Sequence, residues 1–388
     1  VSDGALEPVR NPRRAVVRSA ETRTRAARAA FHAGLVNLDR RTFAKVVGAA
    51  LAGAAARGLA PAPAFQPVRL ALPGAPRAGL RFAYLADTHI LARAVNERFV
   101  KALLRAVDDV NAMDPQPDFV VFGGDLAQLG APAELELGAQ ILRELKAPLR
   151  MVVGEHDWYR DLGEHWRGLF GPDVYSFDQG GVHFVVLNSI LQEDFWTSRG
   201  LDADARMQTV ANVGDRTQNR FRVGAEQRAW LAADLAQLAP ATPVVVLTHA
   251  PLYQLYEPWN FWTADAAEVH ALLARFDRVA VVHGHTHQVH AHRIGNIHVH
   301  GMLATAWPLP YAPEGVPELT VALNRPNPFN PLDGCGVGHV DVHTDRDPRG
   351  IVDATHRPWN RDPLVVRRTY LASDGREDRP AAPNLPSY

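Results

Sequence analysis

A single cysteine, Cys335, stands in the whole chain, so no intrachain disulfide can form and cysteine usage says little about redox compartment. Set between glycines in DGCGVG, it reads as a small packed residue and not as a nucleophile. An excess of charge is also missing. Lys and Arg number 41 against 42 Asp and Glu, for a net charge of −1, so no global field draws the chain toward nucleic acid or an anionic membrane. Long apolar runs are absent too, and the best candidate, residues 46–56, is about half the length needed to span a bilayer. What remains is a composition 47% hydrophobic and 21% charged over 388 residues, a globular chain able to bury a large core. Histidine is plentiful at 17, with many between 249 and 300, which is a reason to look for metal.

The N-terminal region differs in kind. Residues 1–41 carry many arginines and little apolar periodicity. In LDRRTFAKVVGAALAGAAARGLAPAPA, residues 38–64, the pair Arg40-Arg41 precedes a short Ala/Val/Gly run that ends in small residues of A-x-A character. This is the layout of a cleavable export signal. Asp39, Arg40, Arg41, Thr42, Phe43, Ala44 and Lys45 resemble the twin-arginine pattern. The expectation is a bacterial protein that is exported, periplasmic or extracellular, with no transmembrane segment once mature. The chain opens on Val1 and its first methionine is Met113, so a GTG start read as valine is expected, with the native start downstream at Val36.

From residue 80 onward, short apolar runs alternate with amphipathic ones. Runs over 81–87, 118–125, 149–157, 181–189, 243–251 and 278–287 predict buried strands. Phe99, Leu103, Val107 and Val110 recur at helical spacing and predict a helix over 94–112, with others over 132–145, 224–238 and 264–275. Segments 289–294 and 296–301 flank Gly295-Asn296 and predict a hairpin. The expected organisation is an extension and export signal over 1–64, a proline-rich linker or first edge strand over 65–79, one α/β domain over 80–345, and a C-terminal tail over 346–388 whose polar, proline-rich residues 373–388 read as loose.

Several of these strands end in a polar cluster: Asp87-Thr88-His89, Gly124-Asp125, Gly154-Glu155-His156-Asp157, Thr248-His249 and Gly284-His285-Thr286-His287. In open α/β sheets the carboxyl ends of strands gather on one edge, where sites form. Residues far apart in sequence can thus converge. Asp87, His89, Asp125, Glu155, His249, His285 and His287 supply carboxylates and imidazoles without a thiolate, a set suited to Zn, Mn or Fe. They are too many for one ion and suit two ions that share a bridging carboxylate.

The order D-x-H, G-D, G-E-H-D, H, G-H-x-H resembles the calcineurin-like metallophosphoesterase superfamily over roughly residues 80–300. The resemblance implies a four-layer α/β/β/α sandwich with the site at the strand ends. It implies that Asp87, His89 and His287 hold a first metal, that Asp125 bridges, and that Glu155, His249 and His285 hold a second. It implies that His156, paired with Asp157, donates a proton to the leaving oxygen while a metal-bridging hydroxide attacks phosphorus. The second reading is a non-catalytic metal-binding or scaffolding protein of the same fold.

Missing features narrow the resemblance. Purple acid phosphatases carry a tyrosine three residues after the bridging aspartate, where this chain has Gln128. Protein serine/threonine phosphatases carry G-D-x-V-D-R-G, where this chain reads GDLAQLG. The expectation is the broader bacterial-type branch, acting on a small phosphodiester or nucleotide-like substrate. Tyr253, Tyr256, Trp259, Phe261 and Trp262, joined by Trp158 and Tyr159, either line a substrate cleft or form a packed lid, and 307–315 reads as an ordinary rigid loop or as another wall of the cleft. His283, His290, His292, His298 and His300 read as structural. The motif residue that departs from the family is Glu155. The family's asparagine offers a neutral amide oxygen there, and this chain offers a charged carboxylate on a longer arm.

Overall fold

The computed structural model describes residues 67–70, 79–192, 201–211, 220–256, 259, 262–311, 327–345 and 350–368. The expected export signal with Arg40 and Arg41, and Phe261, lie outside the described residues. All elements below belong to the unit Phe65–Tyr388.

Thirteen strands form two sheets among the described residues. The first runs β1(Val68–Leu70), β5(Tyr175–Gln179), β6(Val182–Val186), β7(Val244–Thr248), β8(Val279–His283), β10(Ile297–Gly301), β9(His290–Ile294) in spatial order. The second runs β13(Leu364–Val366), β12(Val352–Pro358), β11(Gly336–Val342), β2(Leu80–Leu85), β3(Phe119–Phe122), β4(Leu149–Met151). Strands β2, β3 and β4 pair in parallel, as do β6, β7, β8 and β10. Their carboxyl ends therefore face one edge.

Side-chain alternation along each strand builds the layers. Phe82, Tyr84, Phe119 and Val121 of the second sheet meet Phe184, Val245, Leu247 and Val282 of the first in a shared inner core. The alternate residues Ala83, Leu85, Val120 and Phe122 face outward onto α1(Glu97–Asn111), through Phe99, Val100, Leu103 and Val107. On the far side, Val244, Val246, Val279 and Val281 face α6(Ala225–Leu235) and α7(Ala266–Leu273), through Leu231, Leu235, Val269 and Leu273. The result is the four-layer α/β/β/α sandwich. The remaining helices are α2(Pro132–Leu142), α3(Glu155–Trp158), α4(Glu164–Phe170) and α5(Ala203–Ala211). Helix α1 starts where Asn96 accepts the Arg98 backbone N–H at 3.0 Å, which satisfies one of the free donors of the first turn.

Two expectations need correction, and one alternative is decided. The stretch 346–388 is not only a tail, because β12 and β13 complete the second sheet beside β11, whereas the loose segment expected over 373–388 lies outside the described residues. The apolar signal of β12 is short: Val352, Ala354 and His356 alternate with Asp353, Thr355 and Arg357. Of the two readings of residues 65–79, the structure has the edge strand: Val68–Leu70 form β1, which pairs in parallel with β5 at the edge of the first sheet. The run 149–157 is not one strand. β4 stops at Met151, and Glu155, His156 and Asp157 form the first turn of α3. No helix among the described residues is long and apolar enough to cross a membrane.

Candidate metal centre

All nine residues singled out at the strand ends lie on the same edge. Asp87 and His89 follow β2, Asp125 follows β3, Glu155 to Asp157 follow β4, His249 follows β7, and His285 and His287 follow β8. The site therefore straddles both sheets. Backbone hydrogen bonds lace the loops: Asp87 N–H to Gly124 O at 2.9 Å, Thr88 N–H to Asp125 O at 2.9 Å, and Ala306 N–H to Asp87 O at 3.1 Å. The Thr88 hydroxyl donates to Leu126 O at 2.9 Å and so fixes the loop between the two acids.

The backbone is held in an uncommon shape here. Asp87, His89, Asp125, His285 and His287 have φ of 54°, 45°, 55°, 65° and 51°. Among the described non-glycine residues only Leu162 and Asn360 share positive φ. Such residues cost on the order of 1–3 kcal/mol each and gather at functional sites. Gly154 passes so close to Asp125 that any Cβ would overlap the Asp125 carboxylate, which explains the glycine before Glu155.

The side chains form two groups on either side of Asp125, and His89, Asp125 and His156 make a third that overlaps them. One ligand atom from each of Asp125, Glu155, His249 and His285 falls within 4.8 Å of the others, and the same holds for Asp87, His89 and His287. Asp125 Oδ2 lies 3.2 Å from His249 Nε2 and 3.7 Å from His89 Nε2, so one carboxylate oxygen faces both groups. Asp125 Oδ1 accepts the His156 backbone N–H at 3.0 Å.

Tautomers follow from the outer contacts. His249 Nδ1 donates to Gly123 O at 2.7 Å, and His287 Nδ1 donates to Trp307 O at 2.8 Å. In the neutral ring each Nε2 then turns a lone pair inward. His249 Nε2 faces the Asp125 and Glu155 carboxylates, and His287 Nε2 faces Asp87 Oδ1 at 3.4 Å and His89 Nε2 at 3.1 Å. Buried Asp87 Oδ2 has no hydrogen-bond partner, and Glu155 Oε2 and His249 Nε2 meet at 3.0 Å. Lone pairs converging on a dry centre need a positive charge between them. Protonation gives the same sign. Burial disfavours charge, yet the imidazoles of His285 and His249 hold Glu155 well below the usual carboxylate range. Burial likewise opposes charge on His249, and Asp125 and Glu155 hold it well above the usual imidazole range. The residues fit two cations: Asp87, His89 and His287 around one, Glu155, His249 and His285 around the other, Asp125 between them.

His156 and Asp157 are adjacent in sequence and do not pair. On a helical turn consecutive side chains diverge. His156 Nδ1 lies 2.7 Å from Gln128 O. The Asp157 carboxylate accepts the N–H groups of Ala127 at 2.9 Å, Leu126 at 3.2 Å and Gly154 at 3.3 Å. Burial and nearby Asp125 raise its pKa to about 7, against the lowering effect of those N–H groups. Asp157 therefore ties the β3 loop to the β4 loop. His156 is the one member of the nine that is partly exposed, and its ring meets that of His89 edge-on at 4.7 Å. Burial lowers its pKa, but Asp125, Glu155 and the bond to Gln128 O outweigh this and leave it raised.

The aromatic expectations divide. Tyr253 is buried and packs on His283 and His292, and Tyr256 and Trp259 pack against the core under α6 and α7. Trp158 and Tyr159 lie in the outer core, beside α4 and α5. Trp262 is half-buried under the Arg220 guanidinium, 4.6 Å above its ring. Trp307, read from sequence as rigid loop or cleft wall, covers the site: its ring lies 4.5 Å from His89 and 4.9 Å from His287. The carbonyls of Gly123, Gln128 and Trp307 orient three histidines, and carbonyls leave no mark in a sequence.

The family model for calcineurin-like phosphoesterases matches residues 80–289. The chain belongs to the calcineurin-like phosphoesterase family. It is a hydrolase of phosphoester bonds. It is 27% identical over 245 residues to the glycerophosphodiester phosphodiesterase GpdQ of Enterobacter lignolyticus, across 60% of this chain and 80% of that one. It is 40% identical over 96 residues to the serine/threonine-protein phosphatase CPPED1 of Mus musculus, across 22% of this chain and 31% of that one. A dimetal phosphatase from Danio rerio shares the fold, with a TM-score of 0.50 and 14% identity over 74% of this chain and 99% of that one.

Proposed function

We propose that this calcineurin-like phosphoesterase is a two-metal phosphodiesterase acting on a small substrate. The observation that carries the reading is Asp125 Oδ2, which faces His249 on one side and His89 on the other. Asp87, His89, His287 and Asp125 would hold one ion, and Asp125, Glu155, His249 and His285 the other. Bound there, a pair of Fe, Mn or Zn ions supplies an activated water and neutralises charge on the phosphoryl oxygens.

The rest is done by the chain. His156 keeps Nδ1–H on Gln128 O, so its Nε2 is the nitrogen free to hand a proton to the leaving oxygen. Trp307 shields His89 and His287 from water, which strengthens every charge interaction beneath it. Three carboxylates in the site repel a dianionic monoester more than a monoanionic diester. The likeness to GpdQ, named a glycerophosphodiester phosphodiesterase, supports the same substrate class.

The test is turnover of the metal-loaded protein on bis-p-nitrophenyl phosphate, glycerophosphodiesters, cyclic nucleotides and p-nitrophenyl phosphate. Diester turnover above monoester turnover is expected. Monoester preference would remove the diester assignment. The Arg40-Arg41 pattern supports export before this activity, and a reporter fused to residues 36–64 that stays in the cytoplasm would remove that part.

A further inference from the structure

Glu155 divides its two carboxylate oxygens between two histidines. Oε2 lies 3.0 Å from His249 Nε2, and Oε1 lies 3.0 Å from His285 Nδ1. The residue is 2% exposed, so both contacts are closed to solvent. A shorter, neutral asparagine in the same place would present one amide oxygen and could not span both rings. The carboxylate reaches both.

The consequence is a match between the two halves of the site. Around the first position stand two imidazoles, His89 and His287, and two carboxylates, Asp87 and the shared Asp125. Around the second stand two imidazoles, His249 and His285, and two carboxylates, Glu155 and the shared Asp125. With asparagine at 155 the second position would keep only the shared carboxylate. Hard divalent cations favour the position richer in carboxylate.

We propose that Glu155 equalises the two cation positions, so that both ions are held in the resting protein and the second is not recruited weakly. The inference rests on the two-metal reading given above. Its test reads metal binding and not turnover, so the two can fail separately. The full chain, stripped with chelator, is titrated with Mn²⁺ by calorimetry, and metal content is measured after gel filtration. Wild type is expected to take two equivalents whose dissociation constants differ by less than about tenfold. Glu155→Gln, of equal length and no charge, and Glu155→Asn are expected to weaken the second equivalent by at least about tenfold and leave the first nearly unchanged. Melting of the metal-free variants checks folding, and the near-isosteric Gln variant carries the test where Asn does not fold. Two strong equivalents in the Gln variant would overturn the proposal. So would a wild type with one strong and one weak equivalent. A wild type that binds a single ion would overturn both this and the two-metal reading. The expected titration without diester turnover would leave this proposal standing and remove only the proposed activity.

Discussion

Nδ1 of His156 lies 2.7 Å from the carbonyl oxygen of Gln128, so that nitrogen is a donor and the opposite one is left to the substrate. Removing the ring should matter most when the leaving group needs a proton. In His156→Ala, turnover of an alkyl diester is expected to fall by about 10²–10⁴-fold. The fall on bis-p-nitrophenyl phosphate should be smaller, since p-nitrophenolate leaves without help. Comparing kcat on the two substrates checks this, and equal losses would contradict the proton-donor role.

Asp157 receives three backbone N–H groups from two loops and no histidine ring. Asp157→Asn leaves part of that set unsatisfied and turns an amide N–H toward donors. Urea denaturation of metal-free protein should show a loss of about 1–3 kcal/mol. Unchanged stability with a displaced pH–rate profile would point back to pairing with His156.

The charge on Glu155 should also set substrate preference. Glu155→Asn removes one negative charge near the phosphoryl group. Its ratio of diester to monoester turnover is expected to drop relative to wild type, measured at matched metal content. An unchanged ratio would separate Glu155 from substrate choice.

Acid should destabilise the fold from between the sheets. His298, His300 and His356 are buried, and burial lowers their pKa values to about 4, 3 and 3, helped by Arg293 for the first, by His298 and His356 for the second, and by His339 for the third. A histidine with a folded pKa below its unfolded value binds more protons when unfolded. Its contribution is complete above pH 6.5 and is lost as pH falls toward the folded pKa. Each should cost about 2 kcal/mol of stability between pH 7 and pH 5. Urea melts in chelator at both pH values check this, and His300→Gln should show a smaller drop than wild type.

Much of this was legible in the chain. Rigid parallel strands ending in Asp, Glu or His leave a strong pattern, because each strand is an apolar run and each ligand closes it. That is why Asp87, Asp125, His249 and His285 could be read as neighbours across long separations. The edge strands were harder. In β12 a histidine and an aspartate interrupt the apolar signal, and β1 has only three residues. The role of Asp157 was hidden because the family resemblance pairs it with His156, whereas a helical turn at Glu155 sends the two side chains apart. Trp307 was half legible: the run 307–315 could be a cleft wall or a rigid loop, and with no periodic pattern nothing in it showed that the ring reaches His89 and His287.

The central claim is that two cations sharing Asp125 are both needed for diester hydrolysis. The most direct measurement is bis-p-nitrophenyl phosphate turnover against ions bound per chain, as chelator-stripped protein is reloaded. With two matched positions, turnover should rise with the square of occupancy and level off at two ions per chain. Turnover that levels off at one ion per chain, or that survives chelation, would contradict it.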